Sequence, residues 1–94
     1  MSYRLVVTKK VEKQLDAIPD KQRRMILSWM AEHLDGCSNP KAIAGGKQVQ
    51  GTRCGWRYRC GSYRILVRIE DEQLVIEVVR IGHRQGVYHN LPDL

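Results

Sequence analysis

No apolar run in this chain approaches the roughly 18 residues that a membrane-spanning helix needs, so such a helix is excluded at the outset. The opening Met-Ser-Tyr-Arg-Leu-Val-Val-Thr-Lys-Lys lacks the apolar stretch of a signal peptide, and a cytoplasmic location is expected. Cysteine is scarce. Cys37, Cys54 and Cys60 are odd in number and show no C-x-x-C spacing, so they read as reduced packing residues and not as a disulfide framework. Repeats, linkers and low-complexity segments are missing too, and 94 residues make one domain, 1–94. With 43% hydrophobic and 28% charged residues the composition is that of a folded domain and not of a disordered tail.

The most informative absence is of acidic charge. From Gly36 to Ile69 there is no Asp or Glu, while Lys41, Lys47, Arg53, Arg57, Arg59, Arg64 and Arg68 supply seven positive charges. The remainder of the chain carries nine basic and ten acidic residues, so the whole net charge of +6 arises in this central stretch. A clustered positive field attracts polyanions, nucleic acid first among them. Arginine predominates over lysine here, and its planar fork grips phosphate at two points. The alternative is a solvated basic surface that serves solubility.

The pattern predicts an α+β domain. Tyr3–Val7 reads as a strand. Thr8 is placed to cap a helix carrying Val11, Leu15 and Ile18 on one face. Pro19 interrupts it, and Asp20 is placed to cap a second helix with Ile26, Trp29, Met30, His33 and Leu34 along one stripe, ending at Gly36. Residues 38–51, with Asn-Pro and Gly-Gly pairs, read as loop. Three strands follow: Trp56–Cys60, Tyr63–Ile69 and Leu74–Ile81, the first two joined at Gly61-Ser62, a glycine-first turn of type II′ character. The expected order is β-α-α-β-β-β, an N-terminal strand and a helical hairpin packed on an antiparallel sheet.

Alternation along the strands directs Trp56, Tyr58 and Cys60 to one face and Arg57 and Arg59 to the other. With Gly61-Ser62 as the turn, Arg59 faces Arg64 and Arg57 faces Leu66. Like charges directly across a ladder destabilise it, so a small protein that accepts this repulsion is expected to hold the patch ready for an anion. Two alternatives stay open: side chains splayed into solvent, or compensation by Glu77 on the third strand. A one-residue bulge at the turn would alter the pairing. Trp56 and Tyr58 are expected in the core and not stacked on bases. His33 and Cys37 stand i, i+4 at a helix end, but no second pair has matching spacing, so neither metal nor cofactor is expected. Beyond the last strand, Ile81-Gly82-His83-Arg84-Gln85-Gly86-Val87-Tyr88-His89-Asn90 places donors and titratable groups in a short loop without a carboxylate.

These blocks resemble a known family. Tyr-Arg-Leu-Val-Val-Thr-Lys-Lys, a Leu-x-x-Ile-Pro helix break, Trp56-Arg57-Tyr58-Arg59, Gly61-x-Tyr63-Arg64-Ile65-Leu66 and Ile81-Gly82-His83-Arg84-x-x-Val87-Tyr88 together are similar to the RelE/ParE superfamily, bacterial toxins of type II toxin–antitoxin pairs. The resemblance runs from Tyr3 to Tyr88. Its RelE branch implies an endoribonuclease that cuts mRNA in the ribosomal A site, with the ribosome and a cognate antitoxin as partners. It also implies a reaction in which the ribose 2′-OH attacks the adjacent phosphorus, expels the 5′-oxygen and leaves a 2′,3′-cyclic phosphate. The implied catalytic set is Arg57, Arg59, Arg64, Arg84 and Tyr88. The founding pattern has lysines at the positions of Arg57 and Arg59; arginine stays protonated, so here these positions serve as charge and donor. The Arg84–Tyr88 spacing is shorter than in the founding member, and no helix is expected after Tyr88.

In this scheme Tyr88 is the general base, helped by cations that stabilise a phenolate. Arg84 stabilises the phosphorane and assists the leaving oxygen. His83 is the rival acid or base, since an imidazole titrates nearer neutrality, or else a donor to phosphate. Together with Lys47, Arg53 and Arg68 it makes up the expected RNA-binding surface. Two other readings compete: a ParE-like poison of DNA gyrase without nuclease activity, and a non-catalytic basic RNA- or ribosome-binding domain.

Overall fold

In the computed structural model the chain runs β1 (Arg4–Val7), α1 (Lys9–Asp16), α2 (Asp20–His33), β2 (Lys47–Gln48), β3 (Gly55–Cys60), β4 (Tyr63–Glu70) and β5 (Val75–His83), with 3-10 turns at Pro40–Ala42 and Arg84–Tyr88. The structure describes residues 1–91 and 94, and at residues 84 and 85 the backbone alone. Among the described residues no helix is long and apolar enough to cross a membrane.

Thr8 starts α1 as its sequence predicts. Its hydroxyl oxygen accepts the Val11 N–H at 3.2 Å, satisfying one of the helix's orphan donors. Asp20 does not cap α2. Pro19 takes the N-cap position, and the Asp20 carboxylate, one residue inside, instead pairs with Arg23 and with Arg24, the latter at 3.1 Å. A carboxylate in the first turn still complements the helix dipole. Of the anticipated α2 stripe, Ile26, Met30 and Leu34 are buried; Trp29 is half-buried and His33 exposed, with the Trp29 and His33 rings 5.1 Å apart.

The sheet is mixed, not purely antiparallel. Its strand order is β1-β5-β4-β3-β2 among the described residues; β1 pairs β5 in parallel and the other pairs are antiparallel. The N-terminal strand therefore joins the sheet instead of packing on it, and gains ladder partners that a half-buried strand needs. The segment 38–51 likewise contributes the two-residue strand β2. The hairpin turn is as expected, with Gly61 at φ +60°, the left-handed first position of a type II′ turn.

Both helices cover one face of the sheet. Val11, Leu15, Ile18, Ile26, Met30 and Leu34 meet Tyr58, Ile65, Val67, Ile76, Val78 and Ile81 there. A second, smaller core lies on the opposite face, where Val49, Leu66 and Val87 are buried together with Val79 and Leu91 at the margin. One irregularity links the two. Leu66 pairs with Arg80 but Val67 pairs with Val78, leaving Val79 as an extra residue in β5. This bulge shifts the phase of the strand, so that Ile76, Val78 and Ile81 all reach the helix-side core. Arg80 and Gly82 turn to the other face.

Tyr58 is wholly buried, and its hydroxyl donates to the Pro40 carbonyl at 2.6 Å, tying the 38–46 segment to the sheet. Burial is the main cause that pushes this phenol well above its ordinary range. An unfolded tyrosine ionises near pH ~10, so the stability contributed by the neutral Tyr58 is fully present below that value and lost as pH rises above it. Tyr58→Phe is expected to cost about 1–3 kcal/mol by leaving the Pro40 carbonyl unpaired. Thermal melts from neutral to alkaline pH should show a shallower alkaline decline in the variant than in the parent.

Candidate functional site

Residues directly opposite in an antiparallel ladder share a face, and the register assembles a basic surface on the side away from the helices. Lys47 lies opposite Arg57, Arg57 opposite Leu66, and Leu66 opposite Arg80, making one row across four strands. In the next row Arg59 lies opposite Arg64, and Arg64 opposite Gly82. The anticipated arginine pairing is therefore present. Arg59 is exposed, Arg64 partly buried, and Arg57 partly buried with its Nη1 donating to the Gly45 carbonyl at 3.3 Å. The acidic residue placed to offset this charge does so elsewhere: Glu77 accepts from Arg68 Nη1 at 2.6 Å.

The terminal 3-10 turn docks onto this face through Val87, which is 2% exposed against Leu66 and Val49. Gly82 makes the close approach possible, since a Cβ there would stand 3.2 Å from Val87 Cβ and Cγ2. Tyr88 is thereby carried to the mouth of an open cleft of about 480 Å³, whose walls include Lys47 and Arg57 and whose apolar parts are Val49 and Leu91. Two cations and a phenol around one concavity match the donor needs of a phosphodiester. Buried Cys60 and half-buried Cys37 have thiols pushed up by burial, which leaves them protonated packing groups.

The other expected contacts separate. His83 stacks edge-on against Tyr63, with centroids 5.0 Å apart, and lines a second cleft with Lys10, Arg80 and His89, separate from the Lys47–Arg57 cleft. Arg53 and Arg68 line a third, with Cys54 and Glu70. Arg84 has its backbone in the 3-10 turn; its side chain lies outside the described residues. Trp56 and Tyr58 belong to the helix-side core. Among the described residues no group of three or more His, Cys, Asp or Glu side chains is arranged to hold a metal ion.

The sequence reading missed Arg80. Its Nη1 donates to the Val87 carbonyl at 3.0 Å and to the His89 carbonyl, and its Nη2 donates to the Asn90 carbonyl at 2.8 Å. Plain alternation in β5 would have put it on the same face as Ile76 and Val78, and only the bulge reverses that.

Comparison with known proteins agrees with this architecture. The family model for the ParE toxin of type II toxin–antitoxin systems matches residues 5–88. The chain belongs to that toxin family. Within the wider RelE/ParE superfamily it is similar to Toxin RelG of Mycobacterium tuberculosis, 28% identical over 89 residues that cover 94% of this chain and 98% of the relative. An Escherichia coli RelE toxin carrying two arginine-to-alanine substitutions, solved in the free state, shares the fold at 22% identity and a TM-score of 0.73, with 94% and 92% of the two chains covered. A toxin–antitoxin complex of M. tuberculosis, RelBE2, contains a chain 26% identical, with a TM-score of 0.66 over 89% of this toxin and all of that chain.

The loop that carries Gly45 is pressed against the hairpin at Gly46, where a Cβ would lie 2.7 Å from Trp56 Nε1 and 2.8 Å from Tyr58 Cε1. Gly46→Ala must therefore displace the loop or the rings. It is expected to cost about 1–3 kcal/mol and to release Arg57 from the Gly45 carbonyl, checked by denaturant unfolding and by the guanidinium NMR signal of Arg57.

Proposed function

We propose that this toxin is a ribosome-dependent endoribonuclease that cleaves mRNA in the cytoplasm and is neutralised by a cognate antitoxin. The observation that carries the reading is the convergence of Arg57, Lys47 and Tyr88 on one cleft beside the facing pair Arg59 and Arg64. In the proposed reaction the RNA supplies its own nucleophile, so the protein needs no serine, cysteine or metal for that role. The 2′-oxygen forms a bond to phosphorus and gives its proton to Tyr88 in its phenolate form. The bond to the 5′-oxygen breaks, and that oxygen, stabilised by hydrogen bonds from guanidinium groups that keep their own protons, takes a proton from water. A 2′,3′-cyclic phosphate and a 5′-hydroxyl remain, and the 2′-OH requirement excludes DNA.

Arginines suit this task because charge on the phosphorane rises in the transition state, and preorganised donors stabilise it without reorganising. The resemblance assigns Arg84 to the leaving oxygen. His83 lines a different cleft from Tyr88, which favours the phenol as the proton acceptor. A phenol accepts a proton only after losing its own, so such a site depends on having the phosphate presented in line, a service that the ribosome can provide by orientation. The solved RelBE2 complex and the RelB–RelE complex of Pyrococcus horikoshii support a cognate antitoxin as partner. An acidic segment that folds over the cationic rows would be the complementary chemistry.

The family model's own name, ParE, favours a second reading, a gyrase poison without nuclease activity. Inducible expression followed by mapping of transcript 5′ ends, with and without translation, separates the two. New ends inside translated regions that vanish when translation is blocked are expected. Tyr88→Phe and Arg57→Ala should each lower cleavage by about 10²–10³-fold at unchanged melting temperature. DNA damage without new RNA ends would establish the gyrase reading instead, and RNA binding without cleavage a binding module.

A further inference from the structure

Arg80 sits in the same cross-strand row as Lys47 and Arg57, yet its hydrogen bonds run to the protein's own backbone. Three backbone carbonyls in and just after the 3-10 turn, those of Val87, His89 and Asn90, converge on this one guanidinium. Asn90 adopts a left-handed φ of +50°, a conformation that asparagine tolerates better than most residues. Tyr88 lies between two of the three bonded residues, so its backbone is held on both sides.

We propose that Arg80 is a positioning residue. Its guanidinium fastens the Tyr88 segment at the mouth of the cleft and does not itself grip the RNA. The bulge at Val79 is the device that aims it there. The consequence for activity rests on the nuclease reading above; the fastening itself does not. A planar fork with five N–H donors serves three carbonyls at once, and charge-assisted bonds of this kind are stronger than neutral ones. A lysine ammonium at the same place is a compact point charge that lacks the fork. The displacement at stake is small, but a shift of about 1 Å in a catalytic group can cost roughly 10²-fold in rate.

The test compares Arg80→Lys, Arg80→Gln and, as a control for a cation that grips phosphate, Arg57→Gln. Amide exchange at His89, whose N–H donates to the Gly86 carbonyl at 3.2 Å, reports the segment directly. It is expected to quicken by about tenfold in both Arg80 variants and to stay unchanged in Arg57→Gln. Binding of a short single-stranded oligoribonucleotide should keep its salt dependence in Arg80→Gln. In Arg57→Gln the slope of log K against log salt should become shallower by about 0.7, as expected when one fewer phosphate is neutralised on a single strand. On programmed ribosomes both Arg80 variants should lose about 10²-fold in kcat with little change in KM.

Unchanged exchange at His89, full activity in Arg80→Lys, or a salt slope that becomes shallower in Arg80→Gln as in Arg57→Gln would overturn the proposal, the last by placing Arg80 against the RNA. If Arg80→Gln fails to fold, Arg80→Lys, which keeps the charge and the apolar stem, carries the exchange and kinetic comparisons. Should the parent toxin cut no RNA at all, the nuclease reading fails, and the exchange result still decides whether Arg80 fastens the segment.

Discussion

The contact on which the site depends is the seating of Val87 on Leu66. Leu66 is an apolar residue in a row of cations, wholly buried although its neighbours in the row, Arg57 and Arg80, are only partly so. Without Val87 and Val49 over it, it would be exposed on a sheet face that otherwise meets solvent; burying such a side chain contributes about 1.5–3 kcal/mol. That small core gives the terminal segment an energetic reason to lie on the arginine face. Gly82 gives it the space. The functional groups are thus placed by packing, and the charges come to the site as passengers on strands and on a turn that hydrophobic contact has already fixed.

The electrostatic cost of this arrangement is real. Arg59 facing Arg64, and Lys47 facing Arg57, repel across the ladder. The repulsion is eased because Lys47 and Arg59 carry their charges into water, while Arg57 shares part of its guanidinium with the Gly45 carbonyl. Under the proposed function, this positive field is what draws an RNA phosphate to the face. The fold deals with its other cations differently: Arg68 pairs with Glu77, Lys41 with Asp71 at 3.0 Å, and Arg80 with main-chain carbonyls. Asp71 also accepts the Tyr3 hydroxyl at 2.7 Å, and these two hydrogen bonds hold its carboxyl below the usual range. On the cleft wall Arg57 gives one Nη1 hydrogen bond, of 3.3 Å, to the Gly45 carbonyl, where Arg80 serves three carbonyls.

Much of this was legible in the sequence because the signals were local. A glycine-first two-residue turn sets the hairpin register, and the register sets which arginines face each other. Thr8 and the spacing of Val11 and Leu15 set the first helix. The elements that were misread depend on longer-range contacts. Asp20 looks like a cap until Pro19 takes the position. Among the described residues the strand Lys47–Gln48 pairs only with β3, and β1 finds its parallel partner in the last strand, far away along the chain. Arg80 was hidden for a sharper reason. A period-two pattern carries no mark of an extra residue, so the bulge at Val79 inverts the assignment of every later side chain in β5, and with it the face on which Arg80 lies.

The central claim is that one RNA phosphodiester sits in the cleft walled by Lys47 and Arg57, with Tyr88 at its mouth. The most direct measurement is a structure of the toxin on a ribosome whose A-site mRNA carries a 2′-O-methyl group at the cleavage position, which blocks the reaction without removing the phosphate. The account predicts the modified phosphate within hydrogen-bonding distance of the Arg57 guanidinium, with the Tyr88 hydroxyl facing the blocked 2′-oxygen. An RNA path that crosses the helix-covered face, or that leaves Tyr88 and Arg57 on different nucleotides, would contradict it.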